Sequence, residues 1–254
     1  MQQRNPQNAK GVDVSHWQGK VDWAKVKEAG YSFSIMKATE GTGMIDDTLA
    51  INVAGAREVG MAVGCYHFCR ASNVSEAVAE AQVFGNVLDS LGGLEAIDIP
   101  PVLDIETVHA STRAEIVAIA HAWLEAIEKR FGVRPMIYSF PFFMDQYLDE
   151  SLSKYPLWIA NYGNTIGQDQ CGWTEWAFFQ HTDKGKGPGI GGYVDLNEFN
   201  GGVDELINRI SVEDANKIIE RWLAHGYEHA SDADQEERHR LANELRKASG
   251  QPIQ

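Results

Sequence analysis

Short apolar stretches alternate with helical segments over the first part of the chain, and this alternation limits the folds available to it. Five strand–helix units are predicted between residues 11 and 148. The first strand is predicted at residues 11–17, and the helices at 23–29, 47–59, 75–91, 112–131 and 142–148, the fourth of which opens with a Thr112/Glu115 capping box. After them come three apolar stretches, at residues 157–162, 175–181 and 193–197, which are joined by loops instead of helices. Alternating units of this kind form parallel sheets with right-handed crossovers. The sequence therefore predicts an α/β fold, an irregular TIM-like (β/α)5(β)3 barrel followed by a small C-terminal helical appendage.

The fourth predicted strand ends in two carboxylates, Asp104 and Glu106, within the stretch Pro-Pro-Val-Leu-Asp-Ile-Glu. Residues two apart in a strand point to the same side, so both side chains are expected in one small space. Paired negative charge at the end of a buried strand is costly unless chemistry uses it. Glycoside hydrolysis uses such a pair, with one group protonated and the other ionised. The structural alternative is an Asp that caps the next loop and a solvated Glu.

Further polar and aromatic residues fall on or near the carboxyl ends of the predicted strands, where barrel enzymes hold their active sites. Asp13 and Asp195 would add two carboxylates, and repulsion among the four would help to keep one of them protonated. Glu106 has the longer arm and is the predicted general acid, and Asp104 is the predicted ionised partner. Aromatic rings suit pyranose sugars, although a single aromatic residue in a strand more often belongs to the core. The aromatic candidates are Trp17, Tyr66, Tyr138, Trp158 and Tyr162.

Charge excludes several classes of function. The 254 residues include 22 Lys and Arg against 36 Asp and Glu, so the formal net charge is −14. This acidity argues against nucleic-acid binding and against attraction to anionic membranes. The sequence has no stretch of about 18 apolar residues, so no membrane insertion is expected.

The cysteines do not indicate a metal site or a disulfide framework. Three of them, Cys65, Cys69 and Cys171, are too few for such a framework. Cys65 and Cys69 look like buried thiols, and no second ligand pair accompanies them. The sequence also lacks a Gly-x-Ser-x-Gly elbow and a Walker-type loop, the usual signs of acyl transfer and nucleotide binding. We therefore predict neither a metal nor a cofactor.

Taken together, these stretches resemble the lysozymes of glycoside hydrolase family 25, also called Chalaropsis-type muramidases. The resemblance covers residues 11–201, and its segments occur in the order in which the family has them. The matching segments are Gly-Val-Asp13-Val-Ser-His-Trp-Gln-Gly, Met-Lys-Ala-Thr-Glu40-Gly, Gly-Cys-Tyr66-His-Phe, Pro-Pro-Val-Leu-Asp104-Ile-Glu106, Ile-Tyr138-Ser, Pro-Leu-Trp158-Ile-Ala-Asn-Tyr and Val-Asp195-Leu-Asn-Glu-Phe-Asn-Gly.

The resemblance implies hydrolysis of the β-1,4 bond between N-acetylmuramic acid and N-acetylglucosamine in peptidoglycan, without a metal or cofactor. Glu106 matches the family's acid/base. Asp104 matches the second carboxylate, which is either the nucleophile or the group that orients the substrate's N-acetyl group. Asp13 and Asp195 match the supporting acids of the catalytic set. The expected substrate-binding residues are Tyr66, Tyr138, Trp158, Tyr162 and Glu40, although a structural role is also expected for Glu40.

Two other functions fit parts of the pattern. A non-catalytic peptidoglycan-binding barrel would share the aromatic residues but would have no need of both Asp104 and Glu106. A chitinase-like barrel glycosidase would carry a longer Asp-rich strand motif, whereas the residues before Asp104 are Pro100, Pro101, Val102 and Leu103. Both alternatives are less consistent with the sequence than a muramidase that acts on the glycan strands of the bacterial cell wall.

The two ends of the chain carry separate expectations. Residues 1–10 form a polar N-terminal extension without the apolar core of a signal peptide. This favours a phage or prophage endolysin made in the host cytoplasm and released through a separate pore protein. Residues 11–202 are the predicted catalytic barrel. Residues 203–254 form a predicted two-helix region, with helices at 211–223 and from Asp232 onward. Packing on the barrel, self-association and cell-wall attachment are all open roles for it.

Overall fold

The chain divides into two compact units, Met1–Gly202 and Val203–Gln254. The computed structural model describes residues 1–110, 112–163, 169–206, 216–224 and 231–248. Among these residues, no helix combines the length and the apolar character needed to cross a membrane. Each unit is described separately below.

The first unit is a closed barrel of eight strands, so the predicted fold class is confirmed. The barrel order is β1-β9-β8-β7-β6-β5-β4-β2, and the pairing of β1 with β2 closes it. The short strand β3 pairs with β2 outside the barrel. The strand bounds are β1 Lys10–Val14, β2 Phe33–Glu40, β3 Met44–Ile45, β4 Ala62–Phe68, β5 Val102–Asp104, β6 Met136–Ser139, β7 Leu157–Ala160, β8 Phe178–Gly185 and β9 Val194–Phe199.

The helices of the first half follow the predicted alternation. They are α1 Trp23–Glu28, α2 Leu49–Glu58, α3 Val74–Ser90, α4 Arg113–Phe131 and α5 Pro141–Tyr147. Polar side chains fix where several of them begin. Thr112 and Glu115 form the predicted capping box at the start of α4, and Gly132 ends this helix in a left-handed conformation. The helices therefore begin and end close to where the sequence places them.

The direction of the strands changes in the last third of the barrel. Neighbouring strands from β2 through β4 to β8 run parallel, whereas β9 is antiparallel to both β8 and β1. A short hairpin connection between β8 and β9 requires this antiparallel direction, since a parallel crossover needs a much longer segment. The amino end of β9 consequently lies at the same rim as the carboxyl ends of the parallel strands.

Alternation along β2 sends side chains to two different layers. Met36 and Ala38 belong to the apolar core between the sheet and the helices. Phe33, Ile35 and Lys37 point the other way, into the barrel, because side chains alternate along a strand. Phe33 packs edge-to-face on Phe178 with 5.2 Å between ring centroids. The barrel interior is therefore filled by side chains at one end and open to polar groups at the other.

A glycine on β1 is needed for this packing. A Cβ atom at Gly11 would lie 2.3 Å from the ring of Phe33, a distance that real Cβ atoms do not adopt. The close approach of ring and backbone therefore requires glycine at this position.

The predicted first strand is longer than the observed one. The sequence indicated a strand from residue 11 to 17, but β1 ends at Val14. Ser15 instead caps a turn of 3-10 helix, His16–Gln18, and the side chain of Gln18 completes a capping box. This turn carries Trp17 out to the rim, where 80% of its surface is exposed.

The residues that precede β1 contact other parts of the first unit. The backbone amide and the indole of Trp176 both donate hydrogen bonds to Gln2, and the Gln2 side chain donates to the Trp176 carbonyl. Arg4 pairs with Glu198 of β9. The N-terminal segment is therefore tied to β9 and to the loop before β8.

The second unit contains helix α6 Val203–Leu206, a π-helical turn Ile219–Leu223 and helix α7 Asp232–Ala248. The sequence predicted helices at 211–223 and from Asp232 onward, and residues 211–215 of the first lie outside the described residues. Ser231, not Asp232, caps α7, because its hydroxyl accepts a hydrogen bond from the backbone amide of Asp234. Arg238 of α7 donates to the carbonyl of Leu223.

Candidate active site

A cavity of about 280 Å³ opens at the rim where the carboxyl ends of the parallel strands meet. It brings together eight of the nine predicted site residues, and Glu40 is the one outside its lining. The lining residues are Asp13, Val14, Ser15, Trp17, Gln18, Lys37, Tyr66, Phe68, Asp104, Glu106, Tyr138, Trp158, Tyr162, Gln180 and Asp195.

The register of the strands places the carboxylates together. Asp104 is the last residue of β5 and lies opposite Tyr138 of β6. Asp13 of β1 lies opposite Asp195 of β9 in the antiparallel pair. Asp195 is thus near the amino end of its strand, and the reversed direction of β9 brings it to the rim. The sequence predicts Asp195 near the carboxyl end of its strand, and this is wrong because β9 runs antiparallel to β1 and β8.

Asp104 and Glu106 both hold their protons more tightly than ordinary carboxyl groups. Burial raises the pKa of Asp104 well above its usual range, and the charges of Glu106 and Asp13 add to the rise, whereas Lys37 opposes it. Burial and the charge of Asp13 likewise raise the pKa of Glu106, against the effect of Lys37 and Arg70. Among the described residues, no hydrogen-bond partner is found for the buried Oδ1 atom of Asp104.

Asp13 and Asp195 form a hydrogen-bonded pair. Burial raises the pKa of Asp13, and hydrogen bonds from Asn197, Gln180 and Asp195 oppose that rise. Burial, the charge of Asp13 and the shared hydrogen bond raise the pKa of Asp195 to about 9. Four acidic groups therefore titrate as a coupled set in one pocket.

A single lysine provides positive charge within the lining. The ammonium group of Lys37 pairs with Glu40 and lies 4.9 Å from the ring centre of Phe68. Arg70 binds the other carboxylate oxygen of Glu40, and its guanidinium group lies over the same Phe68 ring, 4.6 Å from the ring centre. Burial alone would raise the pKa of Glu40, but its bonds with Lys37 and Arg70 hold it below the usual range. Glu40 therefore orients Lys37.

The aromatic candidates differ in exposure. Trp158 is 2% exposed, contacts Tyr138 with ring centroids 4.6 Å apart, and forms an inner wall. Tyr66 packs edge-to-face on Trp158 at 6.2 Å. Trp17 and Tyr162 present most of the exposed aromatic surface at the rim. The outer rings offer flat faces to a ligand, whereas the inner ones shape the base of the cavity.

Sequence reasoning missed several residues that act on the pocket. Among them are Lys37, Phe68 and Gln180 in its lining, and Asn197, which is outside the lining but binds Asp13. A lone lysine within the otherwise apolar β2 is a usable sequence signal, because a charged side chain is rarely buried without a function or a partner. Gln180 and Asn197 have no comparable signal. Their role appears only when the strands are paired and their amides face Asp13.

The buried thiols do not take part in the pocket. Burial raises the pKa of the Cys65 thiol to about 12 and raises that of Cys69 as well, so both stay protonated at neutral pH. Within the described ranges, no cluster of three or more His, Cys, Asp or Glu side chains is arranged to hold a metal ion. The titratable side chains that line this site are the carboxyl groups of Asp13, Asp104, Glu106 and Asp195, three tyrosines and Lys37.

Comparisons with known proteins agree with this geometry. The model of the family described as Glycosyl hydrolases family 25 matches residues 12–190. Uncharacterized protein YegX of Escherichia coli O6:H1 is 38% identical over 201 residues, which cover 77% of this chain and 71% of that protein. Lysozyme M1 of Streptomyces globisporus is 34% identical over 211 residues, with 78% and 69% covered.

The fold has a counterpart among solved structures. The crystal structure of the bacterial lysozyme from Streptomyces coelicolor superimposes with a TM-score of 0.70 and 29% sequence identity. The match covers 80% of this chain and 97% of that one. The similarity therefore extends over the barrel as a whole.

Proposed function

This chain belongs to glycosyl hydrolases family 25 and is a glycoside hydrolase, and from this premise we propose that it hydrolyses bacterial peptidoglycan. The bond cleaved is the β-1,4 bond between N-acetylmuramic acid and N-acetylglucosamine. Lysozyme M1 and the N,O-diacetylmuramidase of Chalaropsis sp, which is 28% identical over 209 residues, support this choice by their names. Aromatic surface at the rim and carboxyl groups at the base of the pocket suit a glycan strand.

Glu106 is the proposed general acid and base. The observation that carries this assignment is the shared pocket of Asp104 and Glu106, in which burial and the charge of Asp13 raise the pKa of Glu106. A carboxyl group that keeps its proton can give it to the glycosidic oxygen as the bond breaks. The resulting carboxylate then activates the water that completes hydrolysis.

Asp104 is the proposed second carboxylate, as nucleophile or as the group that orients the substrate's N-acetyl group. Its buried Oδ1 atom has no hydrogen-bond partner among the described residues, which favours the orienting role. An N–H donor from the substrate would satisfy this oxygen and stabilise the charged form of Asp104. Lys37 contributes in the same direction, since its charge lowers the pKa of Asp104.

The proposed function is tested with purified cell walls and the variant Glu106→Gln, which keeps the shape of the side chain but has no proton to donate. The wild type should clear the wall suspension and release fragments with reducing N-acetylmuramic acid ends, identified by mass spectrometry. The variant should be slower by about 10²–10⁴-fold, the usual contribution of a general acid.

Glu58→Gln, at the exposed end of α2, makes the same chemical change outside the pocket and should keep the wild-type rate. Chitin oligomers serve as the competing substrate. Cleavage of chitin in preference to peptidoglycan would replace the muramidase assignment with a chitinase. Binding of walls without cleavage by the wild type would replace it with a binding module.

The division of the chain is also part of the proposal. We assign hydrolysis to the barrel of residues 11–202, with residues 1–10 as its extension, and leave packing, self-association or wall attachment as the roles of residues 203–254. Light scattering and wall sedimentation of the full chain and of a chain ending at residue 202 test this assignment. Monomers and equal wall binding in both cases would leave packing as the role of the second unit.

The proposed place of action is the bacterial cell wall, where peptidoglycan is found. Release from the host cytoplasm through a separate pore protein stays a prediction. It is tested by expressing the chain with and without such a pore protein and measuring lysis of the host.

A further inference from the structure

Asn197 of β9 has an amide orientation that its neighbours determine. The indole Nε1–H of Trp158 can only donate, and it donates to Asn197 Oδ1 at 2.8 Å. The other end of the amide is therefore the NH2 group. This group donates to Asp13 Oδ2 at 2.7 Å.

Gln180 of β8 approaches the same carboxylate oxygen from another strand. Its Oε1 atom accepts hydrogen bonds from the hydroxyl groups of Tyr138 and Tyr162, at 2.9 Å and 2.7 Å. Its NH2 group donates to Asp13 Oδ2 at 2.8 Å. Gln180 is 3% exposed and Asn197 is 1% exposed, so neither amide can exchange these partners for water. The two side chains are called the amide clamp below.

The amide clamp determines which member of the Asp13–Asp195 pair is charged. The two N–H donors occupy both lone pairs of Asp13 Oδ2, which leaves only Oδ1 for a proton, and such bonds favour the ionised form of the carboxyl group. In the part of the chain that the structure describes, no such pair of N–H donors binds Asp195, which shares a hydrogen bond with Asp13. The proton of the pair therefore belongs to Asp195.

We propose that Gln180 and Asn197 are positioning residues that hold Asp13 ionised beside a neutral Asp195, so that the fixed charge of Asp13 keeps the proton on Glu106. The effect on Glu106 rests on the proposed function. The ionisation of Asp13 does not, because it follows from hydrogen bonds within the protein alone.

Several titratable groups share the pocket with Asp13 and act on the same proton balance. Lys37 opposes protonation of Glu106, and Arg70 acts in the same direction from farther out. Asp183 adds negative charge near Asp195. The remaining groups around Asp13, from β4, β5, β6, the segment after β7 and β9, are Tyr66, Asp104, Glu106, Tyr138, Tyr162 and Asp195.

The proposal is tested with two substitutions of Gln180 that differ in their hydrogen-bond donor. Gln180→Met has no donor, so Asp13 should take up a proton more readily and repel the charge on Glu106 less. The alkaline limb of the kcat/KM profile should then move to lower pH by about one unit. KM should change by less than about twofold, because Gln180 is only 3% exposed and both ends of its amide are hydrogen-bonded within the protein.

Gln180→Glu supplies the conservative comparison. In its protonated form the introduced carboxylic acid can still accept from both tyrosines and donate to Asp13. Activity in acid should therefore stay within about threefold of the wild type, and it should fall earlier than the wild type as pH rises and the donor is lost. A merely structural role would lower activity equally at all pH values.

The matched controls are Gln82→Met and Gln82→Glu on the exposed side of α3, which should keep the wild-type profile. An unchanged alkaline limb in both Gln180 variants overturns the proposal, and so does an equal loss at every pH. Circular dichroism establishes whether each variant is folded.

Carbon-13 NMR of the aspartate carboxyl groups in the wild type shows directly which of Asp13 and Asp195 carries the proton, and it does not depend on whether a variant folds. With the signals assigned through Asp195→Asn, Asp13 should lose its proton at lower pH than Asp195. A proton held by Asp13 after Asp195 has ionised would overturn the clamp. A wild type that is inactive on cell walls but shows an ionised Asp13 would instead remove the proposed function and keep the clamp.

Discussion

The pocket contains two pairs of acidic residues that the chain holds in different ways. Asp104 and Glu106 come from the end of one strand, β5, and the Oδ1 atom of Asp104 has no partner among the described residues. Asp13 and Asp195 come from two antiparallel strands, and two amides bind the Asp13 carboxylate. The difference teaches that carboxyl groups in one cavity can serve separate purposes. We call the first the open pair, because the Oδ1 atom of Asp104 has no partner among the described residues, and the second the satisfied pair, because two amides of the protein bind Asp13.

The largest expected difference between the pairs is in stability. Asp13→Ala would leave the NH2 groups of Gln180 and Asn197 buried without their acceptor. Asp104→Ala would remove a buried carboxyl group whose Oδ1 atom makes no hydrogen bond to any residue that the structure describes. We therefore expect Asp13→Ala to lower the free energy of unfolding by about 2 kcal/mol more than Asp104→Ala, as urea titration would measure.

Both substitutions remove the same atoms, so the loss of side-chain volume cancels in this comparison. Hydrolysis of cell walls should be strongly reduced in both variants, so the two should differ in their free energy of unfolding and not in their loss of activity. Equal unfolding free energies for the two variants would mean that the amide clamp contributes nothing to folding and that the two pairs are held alike.

The order of strands and helices could be predicted from the sequence because local signals agree with the final packing. Thr112 and Glu115 cap α4 where the pattern predicts, and apolar alternation marks the parallel strands. The direction of β9 could not be obtained in this way, because strand direction depends on the connection from β8 and not on the residues of the strand. The sequence therefore predicts the correct location of Asp195, at the rim, but the wrong end of its strand, since Asp195 is near the amino end of β9.

The site was partly predictable for a related reason. The sequence predicts Asp104 and Glu106 on one strand; the strand ends at Asp104, but Glu106 is only two residues farther along the chain, so short separation still brings both to the pocket. The contacts of Gln180 and Asn197 with Asp13 join residues separated by more than 160 positions in the chain. Such contacts depend on how the strands are paired around the closed barrel, and this pairing cannot be predicted from the residues next to Gln180 or Asn197.

The second expected effect concerns how stability changes with pH. The pKa of Asp195 is raised from an ordinary value near 3.8 to about 9 in the folded chain. Between these values the folded state binds a proton that the unfolded state has lost, so stability falls as pH rises. The asparagine side chain of Asp195→Asn cannot ionise, so the free energy of unfolding of this variant should fall less with rising pH than that of the wild type. The difference should be roughly 1 kcal/mol between about pH 5 and about pH 8, since the partial exposure of Asp195 weakens the effect of its pKa shift.

Urea unfolding of both proteins at the two pH values is the measurement, and Asp47→Asn at an exposed position is the control. An Asp195→Asn variant with the same pH dependence as the wild type would show that Asp195 does not hold the proton of its pair. The contrast between a satisfied pair and an open pair would then lose its electrostatic basis.

The smallest expected effect comes from Lys37, the cation that acts on the open pair. Its charge lowers the pKa of both Asp104 and Glu106. Lys37→Met should therefore raise the pKa of Glu106 and move the alkaline limb of kcat/KM to higher pH. The shift should be less than about one unit, because Glu40 already neutralises part of the lysine's charge.

This direction is opposite to the one expected for Gln180→Met, and the pair of profiles sharpens the comparison. Removing a cation from the open pair and removing a donor from the satisfied pair should change the proton affinity of Glu106 with opposite signs. Lys129→Met, on the exposed face of α4, controls for loss of positive charge elsewhere. Shifts of Lys37→Met and Gln180→Met in the same direction would mean that altered packing, and not the charges around Glu106, determines the alkaline limb.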